Sequence, residues 1–536
     1  MKRLLCLILA AALLLSGCAV SPEGRTDETT AAPSDTAASP DTGKQTGVSA
    51  FGLAYVPEYG FNPFSCTCIT NRPVLSLVYE PLFVLGSNFQ PEPVLCDHFA
   101  VSENGKEYIL TLCRDAAFSD GSPVTARDVV TSLEASRNSA YYGTRFSKVA
   151  SFSAKDERTV VIKLYYAYEN LPMLLDVPIV KTGTEKDERP LGSGPYEFFD
   201  AGTRLSLLRN RKWWQDREAP VEYDGIPLTA AANPTEIRDS FEFGPTSLVC
   251  ADLNSPVAVG YRCDYELWDS PTATMQYVGF NLNAGLFANR TLRAAVTHVI
   301  DRDRIVSSVY KGFAEAACLP CSPDSPLYDE ELASAYGYDP TVFRALVLKQ
   351  GISGDYVCRI LVCSADPSRV ETAHKIEGNL TEAGLKVEVQ SVDYDSYRYR
   401  LNIGQFDLFI GEARLSSNFD LTEFFKPYGS LSFGGIQSSG MERLCLEALE
   451  NSGNCYDLYK SVMENAYFCP LLFKSYAVMA NRGVIDNLQP AVDNVFHLSG
   501  GRSLADATVS YEELTAPPAE ETEESKETKE TEAILP

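Results

Sequence analysis

The sequence predicts an α/β fold built from more than one lobe, and three observations carry that reading. Residues 107–137 read as strand, turn and helix, and residues 357–389 read as strand, helix and strand, the βαβ pattern of a parallel sheet. The body from 48 to 512 has 465 residues of ordinary apolar content, too many for one core, so two or three packed lobes are expected. No internal repeat appears at solenoid or propeller periods.

The chain opens MKRLLCLILAAALLLSGCAV. Lys2 and Arg3 precede an apolar run from Leu4 to Leu15 that is too short to span a bilayer comfortably, and small residues follow, the layout of a secretory signal. Leu15-Ser16-Gly17-Cys18 resembles the lipobox of bacterial lipoproteins at all four positions. That resemblance implies a lipoprotein signal peptide at 1–17, cleavage before Cys18 and a diacylglycerol thioether on the Cys18 sulfur. The plainer alternative is an ordinary signal peptide with an incidental cysteine. No other stretch reaches ~18 apolar residues, so a soluble body held by lipid at the outer face of the cell membrane is expected. Residues 18–47 are almost free of large apolar side chains and read as a disordered tether reaching on the order of 30 Å. Residues 513–536 read as an acidic disordered tail; APPAEETEESKETKETEAILP carries seven glutamates against two lysines.

The formal net charge of −26, which becomes −28 once Lys2 and Arg3 leave with the signal, excludes a nucleic-acid partner. Of fifteen cysteines, Cys6 goes with the signal and Cys18 takes lipid. Thirteen remain, an odd number, so at least one thiol is expected to be free. Cys66-Thr67-Cys68 and Cys318-Leu319-Pro320-Cys321 are the close pairs; together they match a zinc ligand count, but local disulfides or buried small hydrophobes are the expected use.

Along the body, Tyr108, Leu110 and Leu112 alternate onto one face of a strand. Asp120-Gly121 is turn chemistry, and Thr125 with Asp128 starts a helix whose stripe is Val129, Val130 and Leu133. TLRAAVTHVIDRDRIVSSVYKG reads as two short helices, the first lined by Leu292, Ala295, Val296 and Val299, the second capped by Asp301, lined by Ile305, Val306 and Val309, and stopped at Gly312. VCRILVC is a strand, Val370, Ala373, Ile376 and Leu380 stripe the next helix, Gly384 ends it, and Leu385, Val387 and Val389 alternate in the strand beyond.

Four collinear stretches resemble the extracytoplasmic solute-binding proteins of family 5, the oligopeptide, dipeptide and nickel-binding group of ABC importers. They are LVYEPLF at 77–83; AFSDGSPVTARDVVTSL at 117–133; GSGPY at 192–196 with Leu208-Arg209-Asn210 and Trp214; and Phe280-Asn281 through Phe287, Arg293-Ala294 and Ile300-Asp301-Arg302 to Ile305-Val306. The resemblance implies a two-lobed type II periplasmic-binding-protein-like fold with an inserted subdomain. Its boundaries are lobe I at 48–273 with the insert at about 66–185, lobe II at 274–476 and a return to lobe I at 477–512, with crossovers near 270–276 and 474–482. It further implies a monomer that captures a peptide or peptide-like solute and hands it to ABC permease subunits in the membrane.

The same resemblance points to a site. In peptide-binding members an aspartate after the strand that follows Phe-Asp grips the ligand's α-ammonium. Here the region reads QFDLFIGEARLSSNFDLTEFF, and matching Asp420-Leu421-Thr422 to the family's acidic-proline turn puts that position on Ser417. A serine lacks the charge that makes such a contact strong, so Asp420 or Glu412 would have to substitute. Glu412, Arg414, Ser417 and Asp420 are the candidate ligand-binding residues, and binding is expected to depend little on a free amino terminus.

Chemistry is not indicated: there is no GxSxG, no HExxH, and four scattered histidines, His98, His298, His374 and His497. Gly192 to Pro195 lacks the Gly-Lys-Ser/Thr ending of a phosphate loop. Trp213-Trp214 reads as lobe packing, with a ligand platform as the alternative. No catalytic residue, metal ligand or cofactor is expected. The alternatives to an importer subunit are a nickel or metal-chelate carrier, a ligand-sensing surface receptor and a surface hydrolase.

Overall fold

Two long strands organise the molecule. Tyr265–Phe280 and Phe468–Asn481 pair antiparallel inside an eleven-stranded sheet. Phe468–Asn481 is buried at all but two positions, which is why its sequence runs apolar without alternation. The computed structural model describes residues 51–515 except 140, 216, 353–355, 486 and 499–500. The signal segment, Cys18, the tether and residues 516–536 of the tail lie outside the described residues. At the far end, Tyr511–Thr515 is helical, so regular structure runs past the expected start of the tail at 513.

Beyond the long strands the sheet continues in two directions. On one side come Leu408–Arg414, Val357–Cys363 and Lys386–Val392; on the other come Leu248–Ala251, Leu53–Tyr55, Gly225–Ala230, Leu205–Arg209 and Tyr196–Asp200. Val357–Cys363 is parallel to both neighbours, and the helix Pro367–Glu382 crosses from it to Lys386–Val392 with Ala373, Ile376 and Leu380 fully buried. Gly384, at φ 104°, supplies the reversal from helix to strand that a Cβ would strain. The expected βαβ unit is therefore present. The two helices before it run Arg290–Val299 and Arg302–Ser308; the Asp301 carboxylate accepts from the Arg304 amide at 3.0 Å, as a cap should.

The long strands slip register between Pro271 and Met275, where four steps on one strand face two on the other. Proline has no amide hydrogen for the ladder, and Thr272 Oγ1 instead donates to the Lys474 carbonyl at 2.7 Å. Each side of this break has its own core. One large cluster, from Phe51 and Leu53 through Leu110 and Leu133 to Val495 and Phe496, joins the N-terminal part to the returning C-terminal segment. Two others flank the sheet around Val357–Cys363, one including Ile360, Ile376 and Leu408, the other Leu361, Phe409, Phe424 and Phe473. The result is a two-lobed α/β protein.

Within the first lobe an antiparallel sheet of four strands, ordered Cys96–Val101, Glu107–Leu112, Thr159–Leu164 and Val149–Ala154, carries the helix Ala126–Arg137. Tyr108, Leu110 and Leu112 are buried as their alternation predicts, but Ile109 is buried too, so this strand is covered on both faces. Residues from two of the four motif stretches hold one another. Glu80 is buried and its carboxylate accepts from Trp213 Nε1 at 2.9 Å, Trp214 Nε1 at 2.7 Å, Gln215 Nε2 at 2.7 Å and Ser193 Oγ at 2.8 Å. Both indole nitrogens are thus tied to the buried Glu80, and both rings pack partly buried against the core, with Trp213 also lining a cavity. A Cβ on Gly192 or Gly194 would meet the Val78 backbone at 2.1 and 2.7 Å, so these glycines exist for a close crossing of two chain segments. The thirteen described cysteines are free thiols, nine of them buried, which is core packing of a small hydrophobe.

Candidate functional site

Open α/β sheets bind ligands outside the carboxyl ends of their strands. Here those ends face one another across the register break. Leu248–Ala251 delivers Asp252 and Asn254; Val357–Cys363 delivers Asp366 and Arg369; Leu408–Arg414 ends on Arg414; the long strand Phe468–Asn481 supplies Lys474 and Tyr476. Contacts across the break are direct: Ser368 Oγ donates to the Asn254 carbonyl at 2.9 Å. The buried Asn254 Nδ2 has no hydrogen-bond partner among the described residues.

One end of the cleft is acidic. Lys474 Nζ lies 2.8 Å from Asp252 Oδ2 and 3.8 Å from Glu412 Oε2, and Gln276 Nε2 donates to Glu412 at 2.8 Å. Burial pulls the Lys474 pKa down, but Glu412 and Asp252 outweigh it and the net shift is upward. Asp366 is paired with Arg369 at 2.8 Å. Three carboxylates therefore face two cations here.

The other end is basic. Asp493, at φ 58° in a turn closed by the Ala491 amide on the Asn494 carbonyl, is a non-glycine residue in the left-handed region that aspartate tolerates. Its carboxylate pairs with Arg414, lies 3.7 Å from Arg72 and 3.9 Å from Arg145, and accepts from Tyr141 Oη at 3.2 Å. Burial raises its pKa, yet the three guanidinium groups more than reverse that and bring it down to about 2. Arg145 also pairs with Asp176, whose carboxyl burial pushes up. Arg72 and Arg414 stack on Tyr141, 3.9 and 4.1 Å from its ring centroid. Three guanidinium groups share two carboxylates. Arg72, Leu75 and Ser76 stand on one helical face and, with Tyr79 just past the helix end, line a cavity of about 120 Å³ that also touches Asp493; Leu85, Val492 and Phe496 are among its apolar walls, and Glu80, Glu92, Asp176 and Arg217 are among its charged ones.

The sequence-derived residues separate into two groups. Glu412 and Arg414 stand two apart on one strand, so they share a face, and their side chains are 25% and 36% exposed, the most open members of the two charged groups. Ser417 is buried in the loop beyond the strand. Asp420 is committed elsewhere: it pairs with Lys148 of the four-stranded subdomain and accepts from the Thr422 amide at 2.9 Å. Next to it, Asn418 bonds to Tyr168 and Phe419 packs on Phe89 with centroids 5.0 Å apart, so this loop is a seam between the lobes.

Sequence reasoning missed Arg72, Tyr141, Asp252, Lys474 and Asp493. One of them left a signal. Lys474 is the lone charge in FCPLLFKSYAVMAN, and a lysine inside a buried run needs a partner. The others sit in loops or at a helix start, where a charge is unremarkable.

Known proteins give the same picture. The chain is 23% identical over 348 residues to the glutathione-binding protein GsiB of Escherichia coli, covering 62% of this chain and 67% of that one. Its fold is similar to that of the ABC transporter substrate-binding protein CtaP of Listeria monocytogenes, with a TM-score of 0.68 at 16% identity over 85% of this chain and 98% of that one. It is also similar to NikZ of Campylobacter jejuni, solved in complex with Ni(L-His), with a TM-score of 0.60 at 19% identity over 83% and 96%. The profile of the bacterial extracellular solute-binding proteins, family 5, matches residues 90–434, almost two thirds of the sequence, and the chain belongs to that family of binding proteins, which are not enzymes.

Proposed function

We propose that this protein is the lipid-anchored substrate-binding subunit of an ABC importer, which encloses a peptide or peptide-like solute between its lobes and delivers it to a membrane permease. Lobe I comprises 48–273, with its insert at about 66–185, and the return 477–512; lobe II is 274–476. The observation that carries this reading is the cleft at the register break, where charged side chains from both lobes and from a crossing strand face one another with members still open to solvent. A hinge at Pro271–Met275 needs only a few backbone torsions to open the cleft. Closing it removes the solute from water, where each charge-assisted contact gains strength. The chain does no chemistry on its cargo; transport energy comes from a separate ATPase. Cys18 carries the lipid that keeps this single-chain receptor beside its permease.

Native mass spectrometry of the protein extracted from membranes in mild detergent tests both parts. The expected spectrum has an amino terminus at a diacylglycerol-modified Cys18 and a noncovalent adduct of one small solute per chain. A chain without adduct that also takes up nothing from a peptide mixture contradicts solute capture; an unmodified Cys18 contradicts the anchor.

A further inference from the structure

We infer that lobe I holds a second binding site, apart from the cleft, for a small aromatic carboxylate: its ring in the cavity beside Trp213 and its carboxylate on Arg217. The inference goes beyond the importer reading and does not depend on it.

The cavity is separate from the surfaces that move. Every residue of its wall falls within 63–220 or 492–501, and none comes from 274–476. Parting the lobes therefore leaves the wall intact. It meets the basic end of the cleft at Arg72, Asp176 and Asp493.

Size and lining set the body of the ligand. At about 120 Å³ the cavity is somewhat smaller than the ~150 Å³ aliphatic cavity that takes benzene, so one ring fills it. Six prolines, Pro63, Pro81, Pro93, Pro178, Pro195 and Pro220, stand in the wall. Proline has a fixed φ and no amide hydrogen, so the wall is stiff and poor in donors. Leu75, Val84, Leu85 and Phe496 add apolar surface, and Trp213 adds an aromatic face.

The charges in the wall decide what the ring carries. Asp176 is paired with Arg145, Asp493 with Arg72 and Arg414, and Glu80 accepts from both tryptophans, Gln215 and Ser193. Glu92 lies 3.4 Å from His497 Nε2. Arg217 is different. Its guanidinium lies 5.8 Å from the Trp213 ring centroid and makes no ion pair or hydrogen bond among the described residues. It is exposed and also lines the cavity, so it stands where the cavity meets solvent. Desolvation lowers its pKa and the nearby charges of Glu80 and Glu92 only partly offset this, as expected of a cation without a counter-ion. A guanidinium beside an indole, with its donors unused, suits a planar carboxylate attached to a ring.

Calorimetry of the full chain with benzoate, benzyl alcohol and acetate tests this. Benzoate is expected to bind at one site per chain. Benzyl alcohol, which keeps the ring, and acetate, which keeps the charge, should each bind at least tenfold more weakly. Arg217→Gln should weaken benzoate at least tenfold and change benzyl alcohol less than threefold; Arg217 is exposed, so the substitution spares the fold. Arg414→Gln, in the cleft, should change benzoate less than threefold. The chain has three tryptophans, so fluorine NMR of fluorotryptophan-labelled protein should show benzoate moving the Trp213 resonance and leaving that of Trp268, which is not in the wall. Equal binding of benzoate and benzyl alcohol overturns the inference, as does undiminished benzoate binding by Arg217→Gln. Loss of benzoate binding in Arg414→Gln puts the anion in the cleft and overturns it as well. Absence of benzoate binding to the unmutated chain does the same.

Discussion

Asp493 is the residue whose charge is most exposed to test. Its folded pKa of about 2 lies below the ~3.9 of an unfolded aspartate, so it stabilises the fold above that value and loses its contribution as pH falls through about 2. At 1.36 kcal/mol per unit, this amounts to about 2 to 3 kcal/mol at neutral pH. Asp176, raised by burial, acts in the opposite sense, so the wild-type acid curve alone is shallower than Asp493 would make it. Asp493→Asn removes the ambiguity. Urea unfolding at pH 7 should show a loss of about 3 kcal/mol, because Arg72 and Arg414 lose their carboxylate and Arg145 keeps only Asp176, and the difference from wild type should shrink steadily below pH 4. A constant difference across that range would contradict the ion cluster. The sequence told little of this cluster: Arg72 and Tyr141 are 69 positions apart and Asp493 lies more than 350 beyond both, and charges in loops carry no periodicity. Glu412 and Arg414 were found only through a resemblance to a family motif, and the alignment that singled out Ser417 and Asp420 could not reveal that Asp420 is spent on Lys148.

At the scale of elements, local chemistry was legible wherever one segment sees one environment. The helix Ala126–Arg137 begins where Thr125 and Asp128 say it should, and the Asp128 carboxylate accepts from the Thr125 amide at 2.9 Å and from the Thr182 amide at 2.8 Å. It therefore both starts the helix and ties it to the segment before Gly192. Asp128→Ala should cost about 2 to 3 kcal/mol in urea unfolding, more than a cap alone, since two amides lose a charged acceptor. A loss under 1 kcal/mol would mean that the tie to Thr182 contributes nothing. The helix Pro367–Glu382 and its flanking strands were equally readable from spacing. The long strand Tyr265–Phe280 was not, for a physical reason. Its first half lies half-exposed, its second half is buried, and Pro271 interrupts it at the register break, so neither period nor composition is constant along it.

For the whole molecule the question is how the lobes part. In this structure they touch along a seam independent of the crossing strands, formed by Phe89 on Phe419, Tyr168 on Asn418 and Lys148 on Asp420. Phe89 and Phe419 are both buried and both have positive φ, 61° and 56°, a backbone state that bulky residues occupy only when packing holds them there. Parting the lobes exposes both rings, at ~1.5 to 3 kcal/mol each, so the seam favours the closed form and a solute must enter through the less populated open form. Phe89→Ala should shift the unliganded protein toward the open form.

Small-angle X-ray scattering of the solute-stripped protein, wild type and Phe89→Ala, with and without the solute recovered from the native chain, tests the central claim most directly. Capture between moving lobes predicts a smaller radius of gyration when solute is added, and a larger decrease in Phe89→Ala, which starts more open. Superimposable profiles for free and saturated Phe89→Ala would show a rigid body and contradict capture by lobe closure.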